Sequence, residues 1–233
     1  MTDGRTLFRK SVVSAADSPR LLIPGENQRK LGSHVVKGPW KGMPIYALTL
    51  EERATCPKSC HHWRSCYGNN MPFARRHELG PDLEEGIVRE VRALAAKHPG
   101  GFVVRLHVLG DFYSPTYARV WEQMLWAHAA LHIFGYTGRP RDSVIGQAIS
   151  AMNRESGGRC VIRFSTPDGG PMTATTIERP GIVCPVQTGR TDCCGTCGLC
   201  WSPAMRDKAI IFLDHGRPHD WREGEMDLKG KKP

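Results

Sequence analysis

Apolar positions recur in a regular series through the middle of the chain. The run Pro44-Ile45-Tyr46-Ala47-Leu48 has the length and composition of a strand. A short helix is expected over 71–79. Then Leu83, Ile87, Val88, Val91, Leu94 and Ala95 recur every three or four residues, which predicts a helix opened by Pro81-Asp82 and stopped at Pro99-Gly100-Gly101. Residues 102–108 predict a second strand. Ser114 caps the next helix, with Pro115 at its first position and Tyr117, Val120, Trp121, Met124 and Leu125 inward. A third strand, over 131–136, leads through Thr137-Gly138-Arg139-Pro140 into a helix with Val144, Ile145, Ala148, Ile149 and Met152 inward. A fourth strand, over 160–165, follows Gly157-Gly158. Strand and helix alternating in this way predict an α/β fold whose parallel strands form a partial (β/α) barrel.

The flanks lack this rhythm. Residues 1–43 read as an irregular arm, in which Pro24-Gly25-Glu26-Asn27-Gln28-Arg29-Lys30-Leu31-Gly32 is turn chemistry with a basic centre. After Ser165 come a loop over 166–171, an edge strand over 172–177, an approach to a cysteine cluster over 181–184, and a last strand over 209–213. From His215 the tail is polar and basic. The expected division is an N-terminal arm over 1–43, a partial barrel over 44–180, and a cysteine-rich metal-binding extension with a basic tail over 181–233.

Composition narrows the class. A chain of 233 residues can bury about 70% of the surface exposed when unfolded, so folding requires no disulfides. Residues 1–9 do not resemble a signal peptide, which predicts a cytoplasmic protein with reduced thiols. Nine clustered cysteines then point to metal. No apolar run approaches the ~20 residues of a membrane span. Lys plus Arg number 32 against 23 Asp plus Glu, a net charge of +9 that favours polyanions, so nucleic acid is a candidate partner. No recognised nucleic-acid motif accompanies the charge.

The first predicted strand runs into Cys56-Pro57-Lys58-Ser59-Cys60-His61-His62-Trp63-Arg64-Ser65-Cys66-Tyr67. Three thiolates can hold three irons of a 4Fe-4S cluster and leave the fourth iron open to a ligand. The alternative is zinc on Cys56, Cys60 and Cys66 with His61 or His62. Position favours the cluster. In parallel β/α folds the strand exits share one face, and four successive exits here carry the three cysteines, then Gly110 and Asp111, then Tyr136, Thr137 and Arg139, then Ser165 and Thr166.

A second group is Cys184-Pro185 followed by Cys193-Cys194-Gly195-Thr196-Cys197-Gly198-Leu199-Cys200. Cys184, Cys194, Cys197 and Cys200 make a closed four-thiolate set, with Cys193 spare, and fit either a second 4Fe-4S cluster or zinc. The Cys-x-x-Cys-x-x-Cys run resembles ferredoxin-type ligation, which favours the cluster. Cys160, opening a strand, reads as a core residue.

The cysteine loop after a first strand, with Gly110-Asp111-Phe112 after the second, resembles the radical S-adenosylmethionine enzymes. The resemblance implies that the open iron chelates the methionine end of S-adenosylmethionine. It further implies that Gly110 and Asp111 match the turn binding the cofactor's amino group, and that Arg163 or Ser165 holds its ribose or carboxylate. An electron donor and an unknown small-molecule or macromolecular substrate would be the partners. The chain departs from the pattern in placing five residues, not two, between Cys60 and Cys66. More narrowly, Asn27-Gln28-Arg29-Lys30-Leu31-Gly32, Thr55-Cys56-Pro57, Cys66-Tyr67 and Val108-Leu109-Gly110-Asp111-Phe112 look like the gene product 88 family of phages, plasmids and their bacterial hosts. That family fixes no substrate. The other reading is a non-catalytic basic zinc or iron-sulfur protein that binds nucleic acid or a partner protein.

Overall fold

A computed structural model describes residues 4–165, 169–177 and 179–213. Thr166 and the basic tail lie outside the described residues. In chain order the elements are β1 (Val12–Val13), β2 (Ile23–Pro24), β3 (Ile45–Ala47), β4 (Arg76–His77), α1 (Pro81–Lys97), β5 (Phe102–Leu106), α2 (Pro115–Ala127), β6 (Leu131–Thr137), α3 (Val144–Glu155), β7 (Cys160–Phe164), β8 (Ala174–Thr175), β9 (Ile182–Val183), the helical turn α4 (Cys194–Cys197) and β10 (Ile210–Ile211).

The central sheet has the order β2-β3-β5-β6-β7. β3, β5, β6 and β7 run parallel, and β2 from the N-terminal arm pairs antiparallel with β3. Because each new parallel strand adds beside the last, α1, α2 and α3 all pack on one face. There Leu83, Ile87 and Val91 of α1, Trp121 and Leu125 of α2, and Ile149 and Met152 of α3 meet Phe102, Val104, Leu106, Ile133, Ile162 and Phe164. The result is a mixed α/β fold with a mostly parallel sheet, whose β7 edge is joined only by a single bridge from Phe164 to Thr173. No closed barrel forms among the described residues. Val144, expected inward, is 66% exposed, because it opens α3 directly after the Ser143 cap and Ile145 takes the inward position.

Side chains alternate across a strand, so the other face of the sheet is apolar as well. Ile45, Ala47, Val103 and Phe134 pack there against Leu31, Val35 and Trp40 of the N-terminal arm and Trp201 of the C-terminal region. The Trp40 and Trp201 rings stack with centroids 5.5 Å apart. A small parallel sheet, β8-β10-β9, adjoins this layer. The arm and the cysteine-rich segment thus cover the face opposite the helices.

One expected element is replaced. Residues 71–79 are not helical: a 3-10 turn, Tyr67–Asn70, leads to β4, which pairs in parallel with β1. The cause is tertiary. The fully buried Arg76 guanidinium donates to Glu52 Oε2 at 2.7 Å and to the carbonyls of Ala74 and Gly68. A buried ion pair of this kind outweighs helix propensity over a few residues. No described helix is long and apolar enough to cross a membrane.

Candidate metal centre

The loop carrying Cys56, Cys60 and Cys66 leaves the C-terminal side of β3, and three other strand exits hold it. Thr55 Oγ1 donates to Glu51 O and accepts from Asp111 N, which fixes the start of the loop against the exit of β5. Arg139, after β6, donates from Nε to Phe112 O at 2.7 Å and from Nη2 to Thr55 O at 2.6 Å. Ser165, after β7, donates from its hydroxyl to Thr137 O at 3.0 Å. Gly138 sits where these meet: a Cβ there would lie 3.5 Å from Pro57 Cγ, 3.6 Å from Asp111 Oδ2 and 3.8 Å from Ser165 Oγ.

Asp111 is the hub. Its Oδ1 accepts from Phe112 N at 2.7 Å and Thr137 Oγ1 at 2.8 Å, and its Oδ2 accepts from Gly138 N at 2.7 Å. A carboxylate has about four acceptor positions, so one on Oδ2 is left. Burial pushes the Asp111 carboxyl up to about 6 against the lowering effect of these donors and of Arg139. Gly110 takes φ +85°, and a Cβ there would come within 2.6 Å of Leu50 Cβ and Thr55 Oγ1, so the close turn requires glycine.

Burial raises the pKa of all three loop thiols, and the Asp111 charge adds to the effect at Cys56 and Cys60. The three thiols also act on one another, Cys60 and Cys66 on Cys56 and Cys60 on Cys66. Cys66 Sγ accepts the Gly68 N–H at 3.4 Å. Backbone donors aimed at sulfur are the setting of a metal-bound thiolate. The His61 and His62 rings both meet the Thr176 hydroxyl beyond β8, and His62 Nδ1 lies 3.0 Å from Ser65 Oγ within the loop.

The second group assembles on the opposite face of the sheet from the helices. Cys184 follows β9, and Cys194, Cys197 and Cys200 lie on α4 and the turn after it. Burial raises the pKa of Cys194, Cys197 and Cys200, and Cys184 raises each of them further. Tyr136 Oη, near the end of β6, donates to Cys200 Sγ at 2.9 Å. Cys193 lies at the edge of the group, acting on Cys197, with Sγ 3.4 Å from Thr196 Oγ1 and where a Cβ on Gly32 would fall. Cys160 packs in the helix-side core, where burial pushes its thiol up to about 12.

Of the expected cofactor contacts, Asp111 acts on Cys56 and Cys60, Gly110 packs on Thr55 before Cys56, and Ser165 lies across Gly138 from Pro57. Arg163 lies elsewhere. It precedes Phe164, which points into the helix-side core, so Arg163 faces the other layer. Its guanidinium donates to the carbonyls of Cys200, Met205, Thr173 and Lys208 at 2.8 to 3.2 Å. Arg163 braces the second cysteine segment, and its donors have no reach to a ligand at the first.

Sequence reasoning missed Arg105 and Lys30. Arg105 interrupts the apolar strand Phe102–Leu106, and its guanidinium lies 4.2 Å from the Tyr136 ring centroid. A charge inside such a strand was the available signal. Lys30 joins the two thiol groups: its Nζ lies 5.1 Å from the centroid of Tyr67, beside Cys66, and its carbonyl accepts from Cys194 N at 2.8 Å.

Among the described residues no three His, Cys, Asp or Glu side chains converge closely enough to hold a single metal ion. A tetrahedral zinc site with Zn–S of about 2.3 Å needs sulfurs about 3.8 Å apart. Ligands of a four-iron cluster stand at the corners of a larger body and are farther apart. The chain finds no match among family models, curated proteins or solved structures.

Proposed function

We propose that this is an iron-sulfur protein of the radical S-adenosylmethionine type, built on half of a (β/α) barrel. Cys56, Cys60 and Cys66 would hold a 4Fe-4S cluster with one open iron. Cys184, Cys194, Cys197 and Cys200 would hold a second, closed cluster. One observation carries the reading: three half-buried thiols that act on one another, with Cys66 receiving the Gly68 N–H, sit at the strand exits beside a buried carboxylate.

When bound, the open iron supplies binding for the cofactor's methionine end and a one-electron reductant for its sulfonium. The chain's own residues do the rest. The remaining acceptor position on Asp111 Oδ2 suits an ammonium group, and Thr137, Gly138 N–H and Arg139 hold the carboxylate in place for it. Ser165 and Gly138 form the adjoining wall. The reading requires an electron donor and a reducing compartment, the cytoplasm, where the thiols stay free.

Iron, sulfide and zinc analysis of anaerobically reconstituted protein tests it. Wild type should bind iron and sulfide, with part of the iron lost in Cys60→Ala and a separate part in Cys197→Ala. A colourless protein with stoichiometric zinc would overturn it.

A second reading, nucleic-acid binding without chemistry, is favoured by the rim of the same loop. No acidic residue lies between Cys56 and His77. Lys58, Arg64 and Arg75 are exposed there, and Phe73 is 97% exposed. Cations interleaved with a bare aromatic suit a single-stranded polyanion.

A further inference from the structure

The two thiol groups sit in different electrostatic surroundings: the first is mixed, with a buried carboxylate beside it, and the second has only cations. At the first, the Asp111 carboxylate acts on Cys56 and Cys60, and Glu52 acts on Cys66. Arg53 opposes Asp111 at Cys60, where the acid is the stronger, and outweighs Glu52 at Cys66. At the second, cations dominate. Arg105 acts on Cys194 and Cys200, Arg163 on Cys200, and Lys37 on Cys197. Asp192, the acid next to this segment in sequence, is exposed and accepts from Cys193 N.

Geometry sharpens the contrast. Tyr136 donates its hydroxyl to Cys200 Sγ at 2.9 Å, and the Arg105 guanidinium covers the Tyr136 ring at 4.2 Å and lies 5.5 Å from the Phe134 centroid. Arg105 Nη1 is buried without a hydrogen-bond partner. A buried guanidinium N–H left unmatched is costly, and anionic sulfur at this group would satisfy it. Cations and donors beside cluster sulfur stabilise the reduced, more negative state and raise its reduction potential, while neighbouring carboxylates lower it.

We infer that Tyr136 and Arg105 are positioning residues that set the 184–200 thiol group at a higher reduction potential than the Cys56, Cys60 and Cys66 group. The inference rests on the iron-sulfur reading of both groups. An electron placed on the first then passes downhill to the second, with one group oxidised and the other reduced by the same electron. Lys30 lies between the two groups, contacting Tyr67 beside Cys66 and binding Cys194 through its backbone.

The test is a redox titration of the anaerobically reconstituted full chain, followed by electron paramagnetic resonance, after iron and sulfide have been counted. Two potentials are expected, and Cys197→Ala should abolish the higher. Tyr136→Phe and Arg105→Met should each move the higher potential to more negative values and leave the lower unmoved, with iron content and thermal unfolding of Tyr136→Phe at wild-type levels. Coincident potentials in wild type, or an unmoved higher potential in Tyr136→Phe, would overturn the inference while iron binding still stood. A chain that retains no iron would overturn the underlying reading as well.

Discussion

The Asp111 carboxylate at the exit of β5 accepts the Thr137 hydroxyl at the exit of β6 over 2.8 Å. This bond stitches two strand ends where no ladder continues. It also orients Thr137 Oγ1 to accept from Arg139 N at 3.0 Å, so that Arg139 can hold Thr55 beside Cys56. Thr137→Val leaves the buried carboxylate short of one donor, which costs about 1–3 kcal/mol. Asp111→Asn keeps the shape but turns an amide N–H toward either Thr137 or Gly138, with a loss of similar size. In a double-mutant cycle by urea unfolding the two changes should couple by about 0.5–3 kcal/mol. Additivity within a few tenths would show that the pair does not act as a unit.

Arg76 and Glu52 form a second tie beneath the cysteine loop. Both are buried, with Nε to Oε2 at 2.7 Å and Nη2 to Oε1 at 3.2 Å, and Thr6 Oγ1 donates to the same carboxylate. Removing one partner of a buried pair costs about 3–5 kcal/mol, because the other charge stays desolvated. Arg76→Met should therefore lower stability by that amount in denaturant titrations and free the Gly68 carbonyl next to the Cys66 loop. Faster reaction of Cys66 with a thiol reagent should accompany it. A loss below about 1 kcal/mol would mean that Arg53, whose Nη1 lies 3.8 Å from Glu52 Oε1, suffices as counter-charge.

The alternation of strands and helices over 44–165 was legible because each element is long enough to display its own period. α1 was expected to stop at Pro99-Gly100-Gly101 and ends at Lys97, and the expected strand over 131–136 is Leu131–Thr137. The convergence of four strand exits followed from the parallel order alone. What stayed hidden depends on partners remote in sequence. β4 replaces a helix because Arg76 reaches back to Glu52. The second layer depends on Trp40 meeting Trp201, a contact that leaves no periodic trace. Arg163 shows the limit at the site: an arginine beside a ligand and one bonded to four carbonyls look the same in sequence.

The rim of the first loop gives a salt-dependent expectation. If Lys58, Arg64 and Arg75 contact phosphates of a single strand, replacing all three with Gln should reduce the slope of log affinity against log salt by about 2, from about 0.7 per contact. Phe73→Ala should cost about 1–3 kcal/mol of binding if a base stacks on the ring. Fluorescence anisotropy with a labelled single-stranded oligonucleotide reads both. An unchanged slope in the triple variant would remove nucleic acid from this face.

Acid sensitivity follows from two buried histidines. Burial holds His107 down to about 3 and His77 to about 4, from an ordinary value of 6.5, and neighbouring Arg105 and Arg75 add to the lowering. His107 Nε2 lies 2.8 Å from Tyr117 Oη in the helix-side core. With the folded values depressed, the unfolded chain takes up protons between about pH 6.5 and 4 while the folded chain takes up few. Stability from these groups is therefore complete above about pH 6.5 and declines as pH falls toward 4 and then 3. His107→Gln retains a hydrogen-bonding side chain without a titrating ring. Its unfolding free energy should fall less steeply than wild type between pH 7 and pH 4 in urea titrations. Parallel slopes would show that His107 charges as readily in the folded chain as in the unfolded one.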